Sequence, residues 1–175
     1  MNWQDKSVLL IWNRKAGSSR VLSVQSKWIE TLTQLCGRLD VRIPNNPEQI
    51  ESILQDVMPC ARPDVVIAGG GDGTLHLVVR GLLKADSMRR ASVAQLPFGS
   101  GNDFLRQYGF HRLNSRNLFR FVQCSLESLD VGWCAEVPFV NGVGFGLAAD
   151  TGRRFAEMAN RSALNYLFAS IHSIV

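Results

Sequence analysis

The sequence predicts an α/β fold in which helices cover both faces of a parallel β-sheet. Short continuous apolar runs, which suit strands buried on both faces, alternate with stretches whose apolar residues recur every three or four positions. Most of these runs lead directly into loops rich in glycine or asparagine. Alternating strands and helices of this kind are typical of an open parallel sheet.

The first predicted strand is Ser7–Trp12, and the turn-rich loop 13–19 follows it. A helix comes next because apolar residues recur at helical spacing, and Gly37 is its expected terminator. The apolar stripe of this helix consists of Val24, Trp28, Leu32 and Leu35. The alternating segment Leu39–Ile43 predicts a second, shorter strand, which is ended by two prolines.

The next two units repeat this order. The apolar face of a second helix is formed by Ile50, Ile53, Leu54 and Val57. Asp64–Ala68 is the third predicted strand, and it runs into the glycine-rich loop 69–74. Residues 75–84 predict a helix packed on the sheet, and Ala91–Leu96 predicts a fourth strand that ends at the loop 97–103. Because ligands of a Rossmann-like sheet bind beyond the carboxyl ends of its strands, the three loops should gather at one edge.

The segment 104–126 predicts helix and has no acidic residue. It carries Arg106, Arg112, Arg116 and Arg120. A solvated helix face is the usual meaning of such spaced charges. The alternative is peripheral attraction to the anionic head groups of a membrane surface, where each basic residue contributes about 1 kcal/mol.

The predicted secondary structure changes near residue 128. Short strands with tight turns are predicted at 131–136, 138–141 and 142–147, and residues 153–175 predict a helix. We therefore expect an α/β domain over residues 1–128 and the start of an incomplete β-rich domain over residues 129–175.

Composition excludes several classes of protein. The chain has 175 residues, of which 46% are hydrophobic, so it can bury a core and should fold. A net charge of +4 is too weak to indicate nucleic-acid binding. No apolar run approaches the roughly 20 residues needed to span a bilayer, so we expect a cytoplasmic protein. The 4 cysteines form no metal-binding spacing, so we expect reduced thiols.

The glycine-rich loop carries the strongest chemical signal. Four of the five residues from Gly69 to Gly73 are glycine, at a predicted strand-to-helix junction. Backbone N–H groups and the positive helix end can hold an anion there, and a side chain would keep a phosphate away. A bound phosphate would repel the carboxylate of Asp72, unless that carboxylate holds a metal ion or a reacting hydroxyl. The pattern indicates phosphoryl transfer, and the alternative is a tight turn with a solvated aspartate.

The other two loops add polar groups to the same edge. In the loop 97–103, Gly99 permits close approach, and Ser100 and Asn102 offer hydrogen bonds to a nucleotide. Asn102 could equally cap the following helix. The first loop supplies Asn13, Lys15 and Gly17, of which Asn13 and Lys15 can reach phosphates.

Three motifs carry a resemblance to a known family. These are the loop 13–17, Gly-Gly-Asp-Gly-Thr at 70–74, and Leu-Pro-Phe-Gly-Ser-Gly-Asn-Asp-Phe at 96–104. In this order and spacing they resemble the diacylglycerol kinase catalytic domain family, which includes bacterial lipid kinases and sphingosine kinases. Residues 129–132 and 141–150 are similar to the start of that family's second domain.

The resemblance implies transfer of the γ-phosphoryl group of ATP, with Mg²⁺, to a hydroxyl of a lipid such as diacylglycerol or a sphingoid base. It implies that residues 70–74 with His76 bind the phosphates and that Asp72 helps to place the metal or the acceptor hydroxyl. The candidate nucleotide-binding residues are Asn13, Lys15, Gly17, Gly69, Gly70, Gly71, Asp72, Gly73, Thr74, His76, Gly99, Ser100 and Asn102. One alternative is a non-catalytic nucleotide-binding module. The other is an NAD kinase, since NAD kinases share the motif at 70–74, but it is less favoured because the motif at 97–104 fits the lipid kinases better.

The chain departs from the family in several places. It has His76-Leu77-Val78 where members usually have Asn-Glu-Val, and Arg80 replaces a common asparagine. The late Asp-Gly-Glu motif that supplies the family's general base does not occur in this sequence. We therefore expect weak ATP binding and slow or no turnover. Unpaired strand edges would also favour a homodimer.

Overall fold

The computed structural model describes residues 2–16, 22–86, 91–110, 114–158 and 170. Two compact units divide the chain, Met1–Val140 and Asn141–Val175. The domain boundary near residue 128 stays a prediction.

A four-stranded parallel sheet forms the centre of the first unit. Its strands are β1 (Ser7–Trp12), β2 (Arg38–Arg42), β3 (Val65–Gly70) and β4 (Ser92–Pro97). They are ordered β2-β1-β3-β4, and Leu10 of β1 lies between Val41 and Ile67. The predicted α/β sheet is therefore confirmed. The strand order reverses between β1 and β3, which is the place where open sheets bind their ligands.

Three helices connect the strands: α1 (Leu22–Leu35), α2 (Gln49–Ala61) and α3 (Asp72–Lys84). Alternation along β1 divides the core between the two faces of the sheet. Leu9 and Ile11 pack in one cluster with residues of α2 and α3, whereas Val8 and Leu10 pack with Trp28 of α1 in the other. Both faces are covered, which explains why the strands read as continuous apolar runs.

Gly37 follows α1 as predicted, but close packing is the reason for the glycine. A Cβ at this position would collide with the backbone carbonyl of Gln4. Gln4 belongs to a single turn of 3-10 helix, Trp3–Asp5, which precedes β1 in the sequence.

The prediction of one helix over 104–126 is wrong. The structure has two short helices instead, α4 (Asp103–Arg106) and α5 (Ser115–Val122), and Gly109 lies between them with φ +75. Arg120 stabilises this break: its guanidinium lies 4.3 Å from the Phe110 ring centroid and donates to the Tyr108 carbonyl at 3.2 Å. Such tertiary contacts override local helix propensity.

The arginines of this segment therefore have different surroundings. Arg106 donates to the Gly101 carbonyl at 3.2 Å, Arg116 is exposed, and Arg112 lies outside the described residues. Their contact with a membrane surface stays a prediction.

Past this segment, β5 (Gly132–Cys134) and β6 (Val137–Phe139) form an antiparallel pair. The strand predicted at 142–147 is wrong, because no strand occurs there and α6 (Leu147–Glu157) begins at Leu147. Alternate glycines leave that segment few side chains to pack on a sheet. The helix predicted over 153–175 starts earlier and ends at Glu157, and most of its remainder lies outside the described residues. In the described part of the chain, no helix combines the length and apolar character needed to cross a bilayer.

Candidate functional site

The three predicted loops meet at the carboxyl edge of the sheet, where β1, β3 and β4 end. Asn13 connects the first two loops across the point where the strand order reverses. Its backbone N–H donates to the Gly69 carbonyl at 2.9 Å, and its side-chain amide donates to Thr74 Oγ1 at 3.1 Å. Thr74 is 4% exposed, so this hydrogen bond lies at the base of the loops.

The second and third loops touch through their backbones. Gly71 is the N-cap of α3, and Gly99 lies directly against it. A Cβ at Gly99 would lie 2.9 Å from the Gly71 nitrogen and closer still to its Cα. Glycine is required at position 99, and a Cβ at Gly71 would also be tight, 3.2 Å from the Gly99 Cα. The close approach brings two loops that are distant in sequence into one wall.

Asp72 is the first residue of α3, but its carboxylate accepts hydrogen bonds from the N-terminus of a different helix, α4. Oδ2 accepts the backbone N–H of Asp103 at 3.0 Å, and Oδ1 accepts the N–H of Phe104 at 2.9 Å. These are the first N–H groups of α4, which have no partner within their own helix. Asp72 therefore caps α4 from outside.

Asn102 occupies the N-cap position of α4 without making a side-chain cap hydrogen bond. It is 1% exposed and adopts a left-handed conformation with φ 53, which asparagine tolerates better than most residues. Its amide donates to the Gly99 carbonyl at 2.8 Å and accepts the Gly99 N–H at 3.1 Å. Asn102 thus closes its own loop into a compact ring.

His76 lies one turn further along α3, with Arg80 and Glu51 as its charged neighbours. Burial and the positive charge of Arg80 lower the pKa of His76 below its ordinary value, and Glu51 opposes this effect. The imidazole is accordingly neutral at pH 7. In this form it can donate one hydrogen bond and accept another.

The remaining predicted residues have simple placements. Gly69 and Gly70 are buried at the end of β3, whereas Lys15, Gly73 and Ser100 are exposed around the edge. Gly17 lies outside the described residues. A Cβ at Gly73 would meet nothing within 4 Å, so the first turn of α3 opens toward solvent.

Sequence reasoning missed two buried glutamines that support these loops. Gln95 of β4 is 2% exposed and donates from Nε2 to the Gly70 carbonyl at 3.3 Å. Its Oε1 has no hydrogen-bond partner among the described residues. Gln25 of α1 is fully buried and accepts from Trp12 Nε1 at 3.3 Å. The sequence did carry a signal for them, namely a glutamine inside an otherwise apolar strand or helical stripe. A side-chain amide is seldom buried without a hydrogen-bond partner, so such a residue indicates a specific contact.

The geometry suits an anionic ligand that carries its own metal ion. The helix end supplies backbone N–H groups and a positive dipole at an open turn. The carboxylates of Asp72 and Asp103 both lie beside Gly101. The Oδ2 atom of each would be 3.6 Å from a Cβ at that position. Within the described ranges, no three His, Cys, Asp or Glu side chains cluster to hold a metal unaided.

Comparison with known proteins gives a consistent result. The family model for the diacylglycerol kinase catalytic domain matches residues 7–134. A relative from Pseudomonas aeruginosa (strain PAO1), named "Probable lipid kinase YegS-like", is 31% identical over 164 residues, which cover 91% of this chain and 52% of the relative. A relative of the same name from Pseudomonas putida is 26% identical, over 95% of this chain and 54% of its own length. The chain spans about half the length of these two relatives.

Solved structures show the same likeness. A diacylglycerol kinase from Bacillus anthracis (strain Sterne) is 26% identical, with a TM-score of 0.60 over 71% of this chain and 42% of that one. Another crystal structure from the same strain reaches a TM-score of 0.70 at 26% identity, over 86% of this chain and 53% of that one. The family model covers most of this chain, and the structures share its fold. The chain therefore belongs to the diacylglycerol kinase catalytic domain family.

Proposed function

We propose that this chain is the nucleotide-binding part of an ATP-dependent lipid kinase. The observation that carries the proposal is the joined wall of two glycine loops at the N-terminus of α3. Gly71 and Gly99 touch there, and the exposed Gly73 leaves open space for phosphates. Helix N-termini of this kind bind phosphate through backbone N–H groups and the helix dipole.

In the proposed reaction, the bond between the γ-phosphorus and the bridging oxygen of ATP breaks, and ADP leaves. A lipid hydroxyl oxygen, as in diacylglycerol or a sphingoid base, bonds to the phosphorus, and the hydroxyl proton passes to water. Mg²⁺ would neutralise charge on the phosphates, held by their oxygens together with the carboxylates of Asp72 and Asp103. The chain's own contribution is to orient the phosphates against the N–H groups of α3.

The substrate set is tested by transfer of radiolabelled phosphate from ATP to a panel of lipids. We expect slow transfer by this chain that falls further in Asp72→Asn. Asp56→Asn is the matched control, because Asp56 is exposed on α2 and belongs to none of the three loops. Transfer that is equal in all three proteins would contradict the proposal.

The same purified protein can be used to distinguish two alternative functions. A non-catalytic nucleotide-binding module would release heat on titration with ATP but label no lipid under any condition. An NAD kinase would label NAD and leave every lipid unlabelled. No heat at millimolar ATP would count against both nucleotide-binding interpretations.

A further inference from the structure

We propose that Asp72 is a positioning residue, which holds the β4–α4 loop against the β3–α3 loop before any ligand or metal arrives. This inference rests on the proposed function, since the two loops form the wall that would face the phosphates. It is independent of any contact that the Asp72 carboxylate makes with a metal ion.

The first argument is that both Asp72 oxygens already accept hydrogen bonds within the protein. The donors, the N–H groups of Asp103 and Phe104, lie at 3.0 and 2.9 Å. A carboxylate that accepts two backbone N–H groups makes charge-assisted hydrogen bonds, which are about twice as strong as neutral ones. They connect residues 31 and 32 positions apart in the sequence, so they fix tertiary rather than local geometry.

The second argument is that α4 has no comparable cap of its own. Asn102 stands at the N-cap but uses its amide on Gly99. A helix of 4 residues cannot persist on its own hydrogen bonds, because helix nucleation is unfavourable. Without Asp72, the start of α4 would lose the two hydrogen bonds that connect it to the first residue of α3.

The third argument concerns the distance between the loops. Gly71 and Gly99 are in backbone contact, so any loosening at Asp72 directly widens the wall beside the first turn of α3. The affinity for a phosphate bound by N–H groups depends steeply on where those groups lie, because hydrogen bonds weaken when they are lengthened or misaligned. Positioning and phosphate affinity are thus coupled.

Amide hydrogen exchange in the metal-free, nucleotide-free protein tests the structural step. We expect the Phe104 amide to exchange about ten-fold faster in Asp72→Asn, which keeps one acceptor oxygen, and faster again in Asp72→Ala. Asp56→Asn should leave it unchanged. Exchange at Val66 in the buried β3 reports global unfolding, so a variant that merely fails to fold is recognised. Equal Phe104 exchange in the wild type and Asp72→Ala would overturn the proposal.

ATP affinity in EDTA tests the functional step. Removing a negative charge near phosphate should by itself tighten metal-free binding, whereas loss of positioning should weaken it about ten-fold in Asp72→Asn. Gly99→Ala separates the loops and leaves the Asp72 carboxylate in place, so it should weaken binding similarly. Unchanged or tighter binding by Asp72→Asn would overturn the positioning role. If the wild-type chain binds no ATP, the proposed function fails, and the exchange result alone decides whether Asp72 holds the loops.

Discussion

Single side chains join the loops of this site, and Asn13 shows how much one amide contributes. Its Nδ2 group donates to Thr74 Oγ1 at 3.1 Å, and Thr74 is 4% exposed. In Asn13→Ala the buried hydroxyl loses a donor without gaining water, so we expect the free energy of unfolding to fall by about 1–2 kcal/mol. Urea unfolding measures this value. Lys15→Ala, at an exposed position in the same loop, should change it by less than about 0.5 kcal/mol.

A double-mutant cycle separates the hydrogen bond from other effects of Asn13. Thr74→Val removes the hydroxyl, so adding Asn13→Ala to it should cost clearly less than Asn13→Ala alone. Additive losses would show that the two side chains do not interact.

The identities of the site residues were predictable from the sequence, but several of their partners were not. Glycines around Asp72 at a strand-to-helix junction predicted a phosphate-binding turn. Nothing local in the sequence indicates that Asp72 caps α4 or that Asn102 turns back onto Gly99. The Asp72 contact depends on how two distant loops pack, and the Asn102 contact depends on the left-handed conformation of that residue; the pattern around each residue encodes neither. The nucleotide contacts assigned to these residues stay predictions.

At the scale of the element, α3 contains two glycines whose environments are opposite. A Cβ at Gly73 would meet nothing within 4 Å, whereas one at Gly81 would lie 2.6 Å from Leu54 Cδ1 of α2. Gly73→Ala should therefore raise the free energy of unfolding by about 0.5–1 kcal/mol through helix propensity. Gly81→Ala should lower it by about 1–3 kcal/mol through overpacking. Thermal and urea unfolding of the two variants measure both signs, and shifts of the same sign would contradict the packing described.

The same helix is tied to α2 by an ion-pair network. Glu51 of α2 accepts from Arg80 and Lys84 of α3, and its side chain is 13% exposed. Burial acts to raise the pKa of Glu51, but the hydrogen bonds and charges of Lys84 and Arg80 outweigh it and lower the pKa. Because the folded pKa lies below the unfolded value, the carboxylate stabilises the fold above about pH 4.5 and loses this effect as pH falls further.

We expect Glu51→Gln to cost about 2 kcal/mol of unfolding free energy at pH 7. The difference from the wild type should shrink progressively as the pH falls below the unfolded pKa of about 4.5, because protonation of Glu51 removes the charge that distinguishes it from glutamine. Unfolding measured across this range tests the sign. Glu30→Gln, at an exposed position on α1, is the control and should show little effect at any pH. A Glu51→Gln difference that does not change with pH would contradict the network's role.

At the scale of the whole molecule, the sheet could be predicted from the sequence because the patterns that mark strands and helices are local. Buried apolar runs mark the strands, and stripes such as Trp28 and Leu32 mark the helices. The prediction failed over 104–126, where Arg120 reaches back to Phe110 and two short helices replace one. Local periodicity cannot show a break that a tertiary contact stabilises.

The predicted homodimer also belongs to this scale. Apolar side chains of the β5–β6 pair in the first unit are exposed, Trp133 at 57% and Val137 at 49%. Leu126 and Leu129, which precede the pair in the sequence, are 60% and 53% exposed. Exposed apolar groups that lie close together are typical of interaction surfaces, and a two-stranded sheet is marginally stable without further cover. We therefore expect this chain to self-associate through the β5–β6 pair as its concentration rises.

Size-exclusion chromatography with light scattering across a range of protein concentrations measures this association. Trp133→Gln combined with Val137→Lys should shift the protein toward monomer, because it removes apolar area and places a charge at the contact. Phe119→Gln is the control: Phe119 of α5 is 62% exposed, so this change removes an equally exposed apolar side chain from another element. A wild-type monomer at every concentration would refute the dimer. A loss of association in Phe119→Gln, with none in the double variant, would move the contact to α5.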